Sequence, residues 1–180
     1  MAWDVDLAHS SLEFAVRHMV VSTVKGRFSD FTVEADIEGD DITRSTGFVK
    51  VNVASLDSRE SQRDAHLRSA DFFDAERFPT MTYAVKSVER DGGGSYRVIG
   101  DLTIRDITRE FPLSAEVSGP VVDPFGAVRI GVSAEGKLNR HDFGLDWNVV
   151  TEAGGLLVGD DVKISAEAEF VQVQTGESEE

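Results

Sequence analysis

Eight runs of this chain alternate apolar and polar residues with a period of two, and that pattern constrains the fold more than any other feature. In "SLEFAV" Leu12, Phe14 and Val16 share a face, and in "FTVEADI" Phe31, Val33, Ala35 and Ile37 do. "FVKVNV", "MTYAV", "SYRVIGDLTI", "FPLSAEV", "VRIGVSAEGKL" and "VKISAEAEF" repeat the pattern. Successive side chains of a strand point to opposite sides, so each run has one dry face and one wet face. The signals "EGDD", "DGGG", "RDIT" and "DPFG" mark turns between runs. No long amphipathic helices alternate with the strands, which disfavours a parallel α/β sheet. The expected fold class is all-β: antiparallel strands that need either a second covering sheet or closure on themselves.

The dry faces carry many small residues: Ala35, Gly100, Ala115, Ala134, Gly136, Ala166 and Ala168. A solid core at native density pairs large residues with small ones. Two adjacent small stripes, from the seventh run and the last, therefore leave empty volume or merely ease tight sheet packing. Eight antiparallel strands closed into a barrel are about the size that encloses one small ligand. Read from the pattern alone, a hollow barrel and a filled sandwich both stand.

Three interruptions break the strand pattern. The longest covers residues 55–80 and includes "SRESQRDAHLRSADFFDAERFPTM"; connections beyond roughly 12–15 residues are often lids or binding loops. Asp57 followed by Glu60 resembles a capping box and predicts one short helix over about residues 59–69, with Ala65 and Leu67 as its main apolar residues. Phe72, Phe73 and Phe78 then need somewhere dry, and the open end of the strand layer is the natural destination. The second interruption, Asn139–Asp161, offers Phe143, Leu145 and Trp147, with Gly154 and Gly155 for a sharp bend. The third, "RHMVVSTVKGRF", offers Met19, Val20, Val21 and Phe28. Gathered at one end of a barrel, these segments make an apolar mouth or plug the interior.

Charge narrows the partners. The chain has 33 acidic residues against 18 Lys plus Arg, a net −15, which disfavours nucleic acid and strong electrostatic attachment to anionic lipid. No run approaches the ~18 apolar residues of a membrane helix, so no stable membrane insertion is expected. There are no cysteines, hence no disulfides and no thiolate chemistry. "MAWDVDLAHS" lacks the basic and apolar regions of a signal peptide; the expectation is a cytoplasmic protein, or a periplasmic one if the chain is a trimmed mature form.

Catalytic signatures are missing: no Gly-x-Ser-x-Gly, His-Glu-x-x-His, P-loop or Gly-x-Gly-x-x-Gly. His9, His18, His66 and His141, with Asp71, Asp74 and Asp142 and the hydroxyls of Ser10 and Ser69, are the acid–base and nucleophile candidates. No histidine pair has a metal-binding helical or strand spacing, so neither metal nor cofactor is expected. Arg68, Arg77 and Arg140 could pair with an anionic headgroup at a tunnel mouth, but in a chain this acidic such arginines more often take neighbouring carboxylates such as Asp71 or Asp142.

"DVDLAHSSLEFAVRHMVVSTVKGRFSDF", "RDAHLRSADFFDAERFPTMTY", "GDLTIRDITREFPL" and "NRHDFGLDW…VGDDVKISAEAE" resemble, in order, the motifs of the YceI-like family of lipocalin-like polyisoprenoid-binding proteins. The resemblance runs from Trp3 to Val171. It implies an extended eight-stranded antiparallel barrel over residues 1–171; the acidic residues that follow, 172–180, read as a disordered tail. It also implies an apolar tunnel for a long isoprenoid or similar amphiphile, a role in storage, transport or sequestration without catalysis, and a homodimer. The expected tunnel lining is Phe14, Val16, Met19, Phe28, Phe72, Phe73, Phe78, Met81, Tyr83, Leu102, Ile104, Val132, Ala134, Phe143 and Trp147. His66, Arg68, Arg140 and His141 are the expected headgroup contacts. Two alternatives remain: an enzyme or stress protein acting on a bound quinone or lipid headgroup through His66 or His141, and a partner-binding barrel filled by its own side chains.

Overall fold

The computed structural model describes residues 2–149 and 157–174. Its strands are β1 (Ala2–Val5), β2 (Ser11–His18), β3 (Ser22–Phe28), β4 (Phe31–Asp36), β5 (Thr46–Asn52), β6 (Leu56–Asp57), β7 (Thr80–Arg90), β8 (Ser95–Ile104), β9 (Ile107–Val122), β10 (Val128–Asn139) and β11 (Val158–Gln172). A single α-helix among the described residues, α1 (Ser61–Arg68), lies between β6 and β7.

The short strands are halves of longer ones. β1 and β2 both run antiparallel to β11, with Trp3 opposite Gln172 and Phe14 opposite Ile164. β4 pairs with β1, and β3 with β2; β5 pairs with β4, and β6 with β3. From β5 the sheet continues through β7, β8, β9 and β10 to β11. With each broken strand counted once, neighbours in the chain are neighbours in space, and the result is a closed eight-stranded antiparallel barrel. Closure gives the one-sided strands an interior and removes most of the sheet's open edge.

Local chemistry sets the breaks. Between β1 and β2 the Asp6 carboxylate accepts the Ala8 N–H at 3.1 Å, and between β5 and β6 the Asn52 side chain accepts the Ala54 N–H at 3.2 Å. Each nucleates one tight turn that re-aims the strand. The cap of α1 is Glu60, which accepts the Gln62 and Arg63 N–H groups, whereas Asp57 accepts from Arg59 at 2.8 Å outside the helix. The capping role therefore falls to the acidic residue adjacent to the first turn. Asp64 is buried but satisfied, accepting from the Ser58 N–H and hydroxyl.

Two differences from the sequence expectation concern strand limits. "RHMVVSTVKGRF" is mostly strand: Met19–Val21 turns and Ser22–Phe28 is β3. The segment after β10 ends sooner than expected, because β11 begins at Val158; Gly154 and Gly155 lie outside the described residues. The expected tail also falls largely outside them, although Gln172 still pairs with Trp3.

Buried side chains form two groups inside the barrel. One lies beneath α1 and includes Phe14, Phe28, Leu56, Met81, Ile104, Phe111 and Phe143. The other, at the far end, is Trp3, Ile37, Ile130 and Phe170, where the Trp3 indole N–H donates to the Ile37 carbonyl at 2.9 Å.

Candidate functional site: two apolar chambers in the barrel

The barrel is hollow. A chamber of about 200 Å³ lies under α1, and a second of about 210 Å³ occupies the opposite half. Both exceed the roughly 150 Å³ at which an apolar protein cavity stays dry and accepts benzene.

The first chamber is walled by Phe14, Val16, Val24 and Phe28, by Met81 and Ile104, and by Leu138, Val162 and Ile164. Its lid comes from the long loops. Trp147 packs on His66 and Phe72, with ring centroids 4.5 and 5.4 Å away, and Phe73 meets Phe28 at 6.0 Å. The lid aromatics thus continue into the wall, where Phe28 meets Phe14 at 5.5 Å.

Alanines build the second chamber. Ala134 of β10 stands opposite Ala115 of β9 and Ala166 of β11, and all three line it together with Ala35, Val132, Ala168 and Tyr83. Side chains of one carbon on three adjacent strands leave volume that no neighbour fills.

The glycines of the same stripes do the opposite. A Cβ on Gly100 would lie 2.5 Å from the Tyr83 ring, and one on Gly136 would lie 2.7 Å from the Phe111 ring. A Cβ on Gly26 would overlap the Phe14 ring. Each missing side chain admits an aromatic ring against the backbone. Along the strands the lining changes chamber at this level: Phe14 to Leu12, Met81 to Tyr83, Leu138 to Ala134, and Ile164 to Ala166. Phe14 and the Tyr83–Phe111 pair, with ring centroids 6.5 Å apart, lie at the level where one chamber gives way to the other. Burial pushes the Tyr83 phenol well above its ordinary range, so it stays neutral and donates to the Phe111 carbonyl at 2.7 Å.

Of the residues expected at the site, Phe14, Val16, Phe28, Phe72, Phe73, Met81, Ile104 and Trp147 line the first chamber, and Tyr83, Val132 and Ala134 line the second. Four others do neither. Met19 is exposed on the β2–β3 turn. Phe78 is held between the guanidinium groups of Arg77 and Arg105, 5.1 and 5.5 Å from its centroid. Leu102 and Phe143 are buried packing residues away from the empty volume. The period of the strands cannot separate lining from filler, because both face inward.

The expected headgroup residues divide similarly. Arg140 is only 2% exposed, and its guanidinium donates to the carbonyls of Gly159 (2.8 Å), Leu145 (2.5 Å) and Trp147 (2.9 Å). Burial lowers its pKa; its donors tie the Trp147 loop to the start of β11. Arg68 donates to the Ala54 and Leu56 carbonyls. His141 lies outside both chambers, with one ring nitrogen 2.7 Å from Asp146 and the other 2.7 Å from Asp160. The two carboxylates raise its pKa, Asp146 most. Of the four, Arg140 and His66 line the first chamber; Arg140 is committed to those carbonyls, whereas the His66 Nε2 lies 2.9 Å from Asp71. Arg17, His18 and Arg63 also reach the lining and were missed: Arg17 and Arg63 are charged side chains on the outward face of β2 and on the polar helix, whereas His18 shares the inward face of Phe14 and Val16 one step beyond the apolar run. Arg77, paired with Asp74 at 3.6 Å, takes the carboxylate rather than the headgroup.

The nucleophile candidates are engaged elsewhere. Ser10 donates to the Asp6 carbonyl at 2.7 Å and Ser69 to the His66 carbonyl at 2.5 Å, so neither hydroxyl bonds a histidine ring. Asp6, His9 and Glu169 cluster closely enough to suggest a cation site. Arg129 already occupies that role, 3.1 Å from Asp6, 2.6 Å from Glu169 and 2.7 Å from Asp123. It locks the seam where β1, β10 and β11 meet.

Fold and site together define a lipocalin-like antiparallel barrel with an apolar interior. A family model described as the YceI-like domain matches residues 3–170, and the chain belongs to that family. A UPF0312 protein of Staphylococcus aureus strain MSSA476 is 37% identical over 166 residues, covering 92% of this chain and 94% of the relative. The Campylobacter jejuni YCEI protein is 28% identical with a TM-score of 0.75, over 88% of this chain and 90% of that one. A polyisoprenoid-binding domain from Saccharophagus degradans, implicated in plant cell wall breakdown, is 14% identical and shares the fold with a TM-score of 0.66, over 96% of this chain and 99% of that one.

Proposed function

We propose that this protein binds a long isoprenoid-type lipid inside the barrel, as a carrier, store or scavenger, without transforming it. The observation that carries this reading is the pair of apolar chambers aligned end to end along one barrel. An isoprenoid chain has no hydrogen-bonding groups, so its affinity must come from leaving water. At about 0.8 kcal/mol per buried carbon, one five-carbon unit contributes roughly 4 kcal/mol before ordering costs. Aliphatic and aromatic walls suffice for such a ligand, and a chain longer than one chamber must pass the level of Phe14 and Tyr83. The polyisoprenoid-binding domain of S. degradans, with the same fold, supports the reading.

A chain-length series of prenyl alcohols tests it. Trp147 lines the first chamber and Trp3 does not, so a Trp3→Phe variant leaves a local fluorescence reporter. Affinity should rise roughly tenfold or more with each added unit until the interior is full. Affinity independent of chain length would contradict a binding mode inside the barrel.

A further inference from the structure

We propose that the β2–β3 hairpin is a docking tip for a lipid bilayer with anionic headgroups, placing the mouth of the first chamber at the membrane surface. The purpose of such docking rests on the lipid-carrier reading, but the contact itself is independently testable.

The tip is apolar where a folding chain would have it polar. Met19, Val20 and Val21 are 47, 71 and 79% exposed. Met19 and Val20 also adopt left-handed backbone, with φ of 52° and 64°, and the turn is closed by the Val21 N–H donating to the His18 carbonyl at 3.2 Å. Asn and Gly take that conformation at least cost, whereas a β-branched valine there is strained. Neither turn chemistry nor burial accounts for three consecutive apolar side chains at this place.

Position gives the tip a purpose. Arg17 and His18 at its base line the first chamber, and the Met19 N–H donates at 2.9 Å to the carbonyl of Leu157, another lining residue. The tip is hydrogen-bonded to the rim of the chamber that a lipid would enter.

Charge names the partner. Over residues 11–28 the hairpin carries exposed Arg17, Lys25 and Arg27 against Glu13 alone, in a chain whose net charge is −15. The Arg17 guanidinium donates to the Val20 carbonyl at 2.5 Å, fixing a positive charge directly beneath the apolar residues. Apolar residues flanked by cations suit the boundary between acyl chains and anionic headgroups. The other exposed apolar tip, with Val121, Val122 and Phe125 at 59, 70 and 93%, belongs to the opposite end of the barrel. There the turns carry Glu38, Asp40, Asp41, Asp91 and Asp123, of which Asp41 is paired with Arg90 and Asp123 with Arg129. The loops around the hairpin's own end also expose Asp71, Asp106, Asp142, Asp146 and Asp160, beside Arg59, Arg63, Arg77 and Arg105, so the excess of positive charge is a property of the hairpin itself. No helix among the described residues is long and apolar enough to cross a membrane.

The test is flotation of the full chain with phosphatidylcholine vesicles containing about one-third phosphatidylglycerol. The native protein should float with them at low salt, and raised salt should weaken the association. Replacing Met19→Asn, Val20→Gly and Val21→Ser should lower the bound fraction about tenfold while preserving or raising thermal stability. Phe125→Ser should float as the native protein does. Transfer of a fluorescent polyprenol from vesicles should slow in the triple variant, while uptake from an ethanolic dispersion stays normal. Native protein that ignores the vesicles, or a triple variant that floats equally well, overturns the proposal. Docking without polyprenol uptake from either source would count against the lipid-carrier reading and leave the docking tip standing.

Discussion

The phenol of Tyr83 on β7 donates to the carbonyl of Phe111 on β9 at 2.7 Å, reaching over Gly100 of the intervening β8. A side chain at Gly100 would collide with the Tyr83 ring. One absent methyl group therefore seats the Tyr83 ring, and Gly100→Ala should destabilise the barrel by about 1–3 kcal/mol in chemical denaturation. Tyr83→Phe should cost about 1 kcal/mol through the lost hydrogen bond alone. Full stability of Gly100→Ala would mean that the ring does not rest on that backbone.

Ala134 faces Ala115 and Ala166 across the second chamber. Ala134→Trp should fill that chamber and abolish uptake of long prenyl chains, with the far-ultraviolet strand signal unchanged. Chains short enough for the first chamber should still bind. Normal binding of a long fluorescent lipid would refute the second chamber as part of the site.

Arg140 satisfies carbonyls of the Trp147 loop and of β11 from a buried position. Arg140→Ala leaves those acceptors without their donor and should cost about 2–4 kcal/mol. Arg140→Lys should recover little, because an ammonium cannot reproduce the fork of a guanidinium. Urea unfolding followed by Trp147 fluorescence in the Trp3→Phe background measures both, and complete rescue by lysine would show that charge alone matters.

His141 sits between Asp146 and Asp160, which raise its pKa above the ordinary 6.5. A histidine raised on folding stabilises the native state fully below about pH 6.5 and loses that contribution as pH climbs through the folded value. His9, raised by Asp6, acts in the same direction. Melting temperatures measured from neutral to mildly alkaline pH should therefore fall less steeply in His141→Gln than in the native protein, with His9→Gln as the companion variant. An unchanged slope in His141→Gln would remove this clasp from the account.

Strand periodicity made most of the barrel readable in the amino-acid sequence, because one-sided strands must hide one face wherever they end up. β3 escaped notice since its turn has Met19 and Val20 in place of the usual Asn or Gly, so nothing marked the chain reversal. Alanines and glycines looked equivalent on the inward stripes. The structure separates them: Ala134 borders empty volume, whereas Gly136 is covered by Phe111. That distinction depends on a ring from another strand and leaves no local trace. Arg140 and His141 suffered likewise, because their partners lie on distant carbonyls and on Asp160.

Native mass spectrometry of protein purified from its own host, followed by organic extraction, reaches the main question most directly. The account predicts a long-chain lipid at near-unit occupancy, released together with the loss of the corresponding mass. Protein that emerges from its host empty, and whose chambers stay empty when long prenyl chains are supplied, would contradict it.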